Sequence, residues 1–172
     1  TASPDTMLHI YSTSASKPIL KIENEQGGAN PVSIQMLRET SSPADDDAIG
    51  QIDFRSKNSA DEEINYAYIS ALSTDVTDAT EDGEMQFYTM KAGTQTNTMT
   101  MQSGNVGIGI AAPVSTMHIY ENSTAVDSTA GLTIEQAGTG DAIIQFLETG
   151  TQRWVMGLDN SDGDKFKIAS SG

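Results

Sequence analysis

Pro4-Asp5-Thr6-Met7-Leu8-His9-Ile10-Tyr11 returns later in the chain as Pro113-Val114-Ser115-Thr116-Met117-His118-Ile119-Tyr120, with proline five residues before histidine both times. The match continues outward. Leu20-Lys21-Ile22-Glu23 corresponds to Leu132-Thr133-Ile134-Glu135, and Ile34-Gln35-Met36-Leu37 to Ile144-Gln145-Phe146-Leu147. The offset moves only from 109 (Pro4 to Pro113) to 112 (Leu20 to Leu132) and back to 110 (Ile34 to Ile144). Self-similarity of this kind marks a chain built of tandem units. One unit spans residues 1–110, and a second, shorter or truncated, spans residues 111–172. Units that touch mainly their neighbours add length rather than depth of core.

Within the units, short runs alternate apolar and polar residues, the period of a strand with one buried face. They are Leu8/Ile10, Leu20/Ile22, Val32/Ile34/Met36, Ile52/Phe54, Ile64 to Ala71, Met85/Phe87, Met99/Met101, Val106/Ile108/Ile110, Leu132/Ile134, Ile144/Phe146, Trp154/Met156/Leu158 and Phe166/Ile168. These predict an all-β fold of strands about 4 to 6 residues long. Turn-forming residues separate them at 26–31, 41–47, 81–83, 138–141 and 159–164. No sustained helical stripe is present. Asp61 to Ile69 opens with helix-favouring acids, but its Ile and Tyr content predicts a strand.

Only 37% of the 172 residues are apolar and 6% aromatic, below the share with which a lone domain fills a core. Regular apolar positions argue against disorder, so the missing core is expected from partner chains. A formal charge of −15 repels phosphate backbones and anionic membranes. Nucleic acid is therefore excluded as a natural partner, and the acidity is read as a guard against sideways aggregation. No cysteine is present, so no disulfide or zinc–thiolate site is available. No apolar run approaches the roughly 20 residues of a membrane span, so no membrane insertion is expected. Thr1 to Pro4 and Ser170 to Gly172 read as a window on a longer repeat.

Short strands leave unpaired edges that must be closed or covered. Threefold intertwining of identical chains meets that need and completes the thin core. The expected architecture is an elongated, intertwined homotrimeric β-prism or triple β-helix fibre.

Gly104-Asn105-Val106-Gly107-Ile108-Gly109-Ile110-Ala111-Ala112-Pro113, followed by Met117-His118-Ile119, resembles the Gly-Asn-Val-Gly-Ile-Gly-Thr-x-x-Pro element of phage tail-fibre shafts. Similar elements occur upstream of endosialidase-type intramolecular chaperones. Ile110 stands where that family usually has threonine. The run from Trp154 to Ile168 resembles a second fibre pattern, Gly-x-Asp-x-Ser-Asp-x-Asp-x-Phe-Lys-Ile. The resemblance implies strands on either side of the first element, at Met99 to Met101 and Met117 to Tyr120. It also implies a homotrimer joined to adjoining fibre segments on a virion. Host contact, with a cell-surface glycan or protein, is expected through the polar loops near Ser41 to Asp47 and Thr74 to Glu81.

Catalytic chemistry has little to work with. His9 and His118 occupy equivalent repeat positions, which points to a repeated structural role. Three copies of either, meeting on an axis, would offer imidazoles to a transition metal. Both alternate with Leu8/Ile10 or Met117/Ile119, so they face away if those face the axis. Glu62/Glu63, Glu81/Asp82 and Asp162/Asp164 are the carboxylate pairs a glycosidase would need, but no aromatic cluster accompanies them and all read as turns. Asp159 to Asp164 is as oxygen-rich as a calcium loop. Its glycine falls one place early and the distal glutamate is missing, so the EF-hand pattern fails. Gly104 to Gly109 lacks the lysine and helix start of a phosphate loop and reads as a turn between strands. The expectation is a non-enzymatic structural protein with no catalytic residue, cofactor or metal. A depolymerase or carbohydrate-binding fibre domain and a repeat of a bacterial surface adhesin are the alternatives.

Overall fold

A computed structural model describes residues 8–13, 19–25, 27–29, 31–124, 131–148 and 153–170. The chain divides into two compact units, Thr1–Glu39 and Thr40–Gly172. Among the described residues there is no α-helix, and the regular structure is nine strands and one 3-10 turn.

In the second unit, β1 (Asp47–Lys57), β2 (Glu63–Asp75), β3 (Asp82–Lys91), β4 (Thr94–Gln102), β5 (Asn105–Ile108) and β6 (Met117–Ile119) form one sheet in sequence order. Pairing is antiparallel up to β5, and β6 runs parallel to β5. A three-stranded antiparallel sheet follows, of β7 (Ala142–Leu147), β8 (Arg153–Asp159) and β9 (Lys165–Ser170).

Two hairpins are closed by two-residue turns whose central residues both have positive φ, Ala92 and Gly93 at 48° and 81° and Ser103 and Gly104 at 49° and 79°. That is the type I′ pattern, whose twist matches the twist of the strands it joins. Gly107 and Gly109 serve close approach instead. A Cβ on Gly107 would lie 2.6 Å from the Ile110 carbonyl, and one on Gly109 would lie 2.4 Å from the Tyr120 carbonyl. The chain after β5 therefore folds tightly back over Gly107. Tyr120 N–H donates to the Ile108 carbonyl and Val106 N–H to the Thr116 carbonyl, both at 2.9 Å, which seats β6 beside β5.

Several expectations need correction. β1 to β4 are 9 to 13 residues long rather than 4 to 6. Their ladders continue through polar stretches such as Thr94 to Thr98, which an apolar count leaves out. Asp82 and Gly83 belong to β3, and the turn before them occupies residues 76–81. Ile110 lies beyond the end of β5. Leu8/Ile10, Leu20/Ile22, Val32/Ile34/Met36 and Leu132/Ile134 lie in no ladder, since alternation makes a strand only where another strand satisfies its backbone. The strand expected from Asp61 to Ile69 forms from Glu63 onward.

Gly157, at φ 155°, leaves no room for a side chain, because a Cβ there would run into the Ala142 carbonyl and the Ile143 backbone. Gly157→Ala is expected to destabilise the protein by about 1–3 kcal/mol. Gly27→Ala, with nothing within 4 Å of the added methyl, is expected to be near neutral. Thermal melts followed by circular dichroism check the pair, and equal melting temperatures would contradict the close approach.

Candidate functional site

The register of the six-stranded sheet sorts its side chains by character. Ile52, Ile69, Phe87, Met99, Ile108 and Ile119 stand opposite one another in a single row crossing all six strands. Two residues along, on the same face, Ala71, Met85, Met101, Val106 and Met117 form a second row. Neither row contains a charge. The intervening row, on the opposite face, is Gln51, Ser70, Gln86, Thr100, Gly107 and His118.

The polar face is the better covered of the two. Thr100 is fully buried and Ser70 nearly so, whereas among the described residues no apolar side chain is buried. Hydrogen bonds knit the polar face together. Gln86 Nε2 donates to Glu84 Oε1 at 2.6 Å, and Asn97 Nδ2 to Thr100 Oγ1 at 2.9 Å. Gln51 Nε2 and Asn65 Nδ2 both donate to Asp53 Oδ1 at 2.6 Å. In the three-stranded sheet Ile144, Met156 and Ile168 form one row and Phe146 stands opposite Trp154 in the next, while Ile143, Val155 and Leu147 lie on the other face. Trp154 remains 51% exposed.

The two loops expected to be exposed are brought to one end of the β1–β2 pair. Asp46 N–H donates to the Ser73 carbonyl at 2.7 Å, and Val76 N–H to Asp45 Oδ1 at 3.0 Å. Within the second loop, the Thr77 backbone N–H, hydrogen-bonded to Asp75, holds that carboxyl below its ordinary value.

His118 occupies the middle of β6, on the face opposite Met117 and Ile119, as the alternation requires. Val114 N–H points at its Nδ1 at 3.4 Å, and its ring meets Tyr120 edge to face at 6.4 Å. His9 and Tyr11 repeat that ring geometry at 6.2 Å. The tyrosines are not all scattered, since Tyr68 and Tyr88 stack across β2 and β3 at 4.5 Å. Partial burial raises the Tyr68 phenol above its ordinary value, with Tyr88 and then Asp53 adding to the effect. The signal for this pair lies in strand register, which separate runs do not reveal.

Glu62, Glu63 and Asp162 have local partners. Glu63 pairs with Arg55 at 2.6 Å, and Glu62 accepts from Asn58 at 2.7 Å. Glu63 and Asp82 open strands rather than lying in turns. Gly104 is in a turn as expected, but Asn105 to Ile108 is itself a strand. In the Asp159 to Asp164 loop, Asp159 caps the 3-10 turn Asn160–Asp162 by accepting from Asp162 N–H. Lys167 reaches both Asp159 and Asp162 at 2.7 Å, and Lys165 reaches Asp162 at 3.0 Å. Among the described residues no cluster of three or more metal-ligating side chains is present. Two lysines occupy the oxygens that a cation would require.

Compared with known proteins, the chain matches no family model, and no curated protein matches it.

The lysine-filled loop has a definite pH signature. The Lys167 hydrogen bond, followed by that of Ser161, lowers the Asp159 carboxyl to about 2, and Asp159 with Asp162 pushes Lys167 up to about 12. The acid's contribution to folding is present above its unperturbed 3.8 and is lost as pH falls through about 2. The contribution of Lys167 is present below 10.5 and is lost as pH rises through about 12. Trp154 emission is expected to report a steady β8–β9 hairpin between these limits. Asp159→Asn should weaken the hairpin at neutral pH and flatten its acid limb. An acid limb that the substitution leaves unchanged would place the titration elsewhere.

Proposed function

We propose that the chain is a non-enzymatic shaft segment of a homotrimeric fibre, of the phage tail-fibre kind. One observation carries the reading: among the described residues no apolar side chain is buried, although apolar residues line up in rows across both sheets. Fully burying a large apolar side chain is worth about 1.5–3 kcal/mol, and a single chain leaves much of this unrealised. Identical neighbours supply the missing cover along the whole length of a repeat and satisfy the unpaired edges of β1, β6, β7 and β9. The tandem repeat and the Gly104 to Pro113 element support a fibre over a compact domain. In this reading the chain belongs to the virion, adjoins further fibre segments, and offers the loops at 41–46 and 76–81 to a glycan or protein on the host surface.

Light scattering on the native protein is expected to give three times the chain mass of 18.3 kDa. Trp154, half exposed in one chain, should then emit at short wavelength and resist acrylamide quenching. A folded species of 18.3 kDa with a quenchable tryptophan would overturn the trimer and favour a self-contained carbohydrate-binding domain.

A further inference from the structure

The six-stranded sheet has one face whose polar side chains are largely hydrogen-bonded to one another and one face with two rows of part-exposed apolar side chains. On the apolar face Ile52, Phe54, Met85, Met101, Met117 and Ile119 are each between 38% and 63% exposed. We propose that this face is the contact between copies of the chain, so that its occupant is the same face of a second copy, repeated around the axis of the trimer. The proposal rests on the trimeric reading above and adds to it the surface through which the trimer closes.

Three features favour a second copy over a foreign partner. The first is charge. A chain with net charge −15 repels its own copies wherever carboxylates face one another, and the two rows are free of them. Contact here directs Asp53 and Glu84, on the opposite face, away from the neighbouring chains.

The second feature is composition. Met85, Met99, Met101 and Met117 lie side by side on this face, and they are four of the eight methionines in the chain. Unbranched methionine fits irregular gaps, which suits a surface that must pack against a rotated copy of itself. The third feature is continuity. The first row crosses every strand of the sheet without interruption, and repetition by a closed rotation covers all copies equally.

Residue-resolved oxidation tests the face on the unmodified protein. Native protein of measured mass is given a graded dose of hydrogen peroxide, and sulfoxide is quantified at each methionine by peptide mass spectrometry. Met85, Met101 and Met117 are expected to oxidise at least tenfold more slowly than Met90, which lies on β3 but on the opposite face. A trimer in which these three oxidise as fast as Met90 would overturn the proposed contact while leaving the trimer standing. A monomer would overturn both.

A substitution pair supplies the second readout. Met101→Asp is expected to reduce the assembly to single chains, with at least a hundredfold weaker association. Gln86→Asp, on the polar face, should leave the trimer intact. Persistence of the Met101→Asp trimer would count against the contact. If that variant does not fold by circular dichroism, the oxidation pattern of the native protein decides.

Discussion

A strand turns successive side chains to opposite faces, and here that constraint acts across six strands in register. Because Ile69 lies opposite Phe87, and Phe87 opposite Met99, each ladder hydrogen bond also places one apolar group beside another. The outcome is a sheet with one largely hydrogen-bonded polar face and one apolar face. Gln86, Glu84, Asn97 and Thr100 exchange hydrogen bonds within their own face, which offsets much of the cost of taking these groups from water. Nothing comparable is available to a row of Ile, Phe and Met. It gains only when another surface removes it from water.

The glycines make this arrangement sterically feasible. Ser103 and Gly104 reverse the chain in two residues, which keeps β4 and β5 in tight register. Gly107 and Gly109 then allow residues 109–116 to lie against the sheet and deliver β6 parallel to β5. Parallel neighbours are ordinarily joined by a longer crossover, so the close passage at Gly107 is what permits the short one. The element from Gly104 to Pro113 is thus a device for adding a strand in minimal length.

Asp53 and Glu84 lie on the polar face of the six-stranded sheet, and Asp45, Asp46 and Asp78 lie in turns. The Asp159 to Asp164 loop holds its hairpin through an ion-pair network of Lys165 and Lys167 with Asp159 and Asp162. The two acidic loops meet at one end of β1 and β2, where a single encounter with another surface would engage both.

The all-β class, the positions of most strands and the alternation that puts His118 opposite Met117 and Ile119 were legible in the residues, because a period of two survives any later arrangement. So were the turns at Ser41 to Asp47 and Asp159 to Asp164, whose Asx residues close local hydrogen bonds. Strand length was not, since polar runs such as Thr94 to Thr98 are held by neighbours that only register supplies. The Tyr68–Tyr88 stack, the meeting of the two loops and the Lys167 bridge across two aspartates were likewise settled in three dimensions. Each depends on residues far apart in the chain being placed opposite one another, and local pattern carries no information about that pairing. Leu8/Ile10 and Leu132/Ile134 show the converse: alternation marks a face to be covered, but backbone pairing decides whether a strand forms.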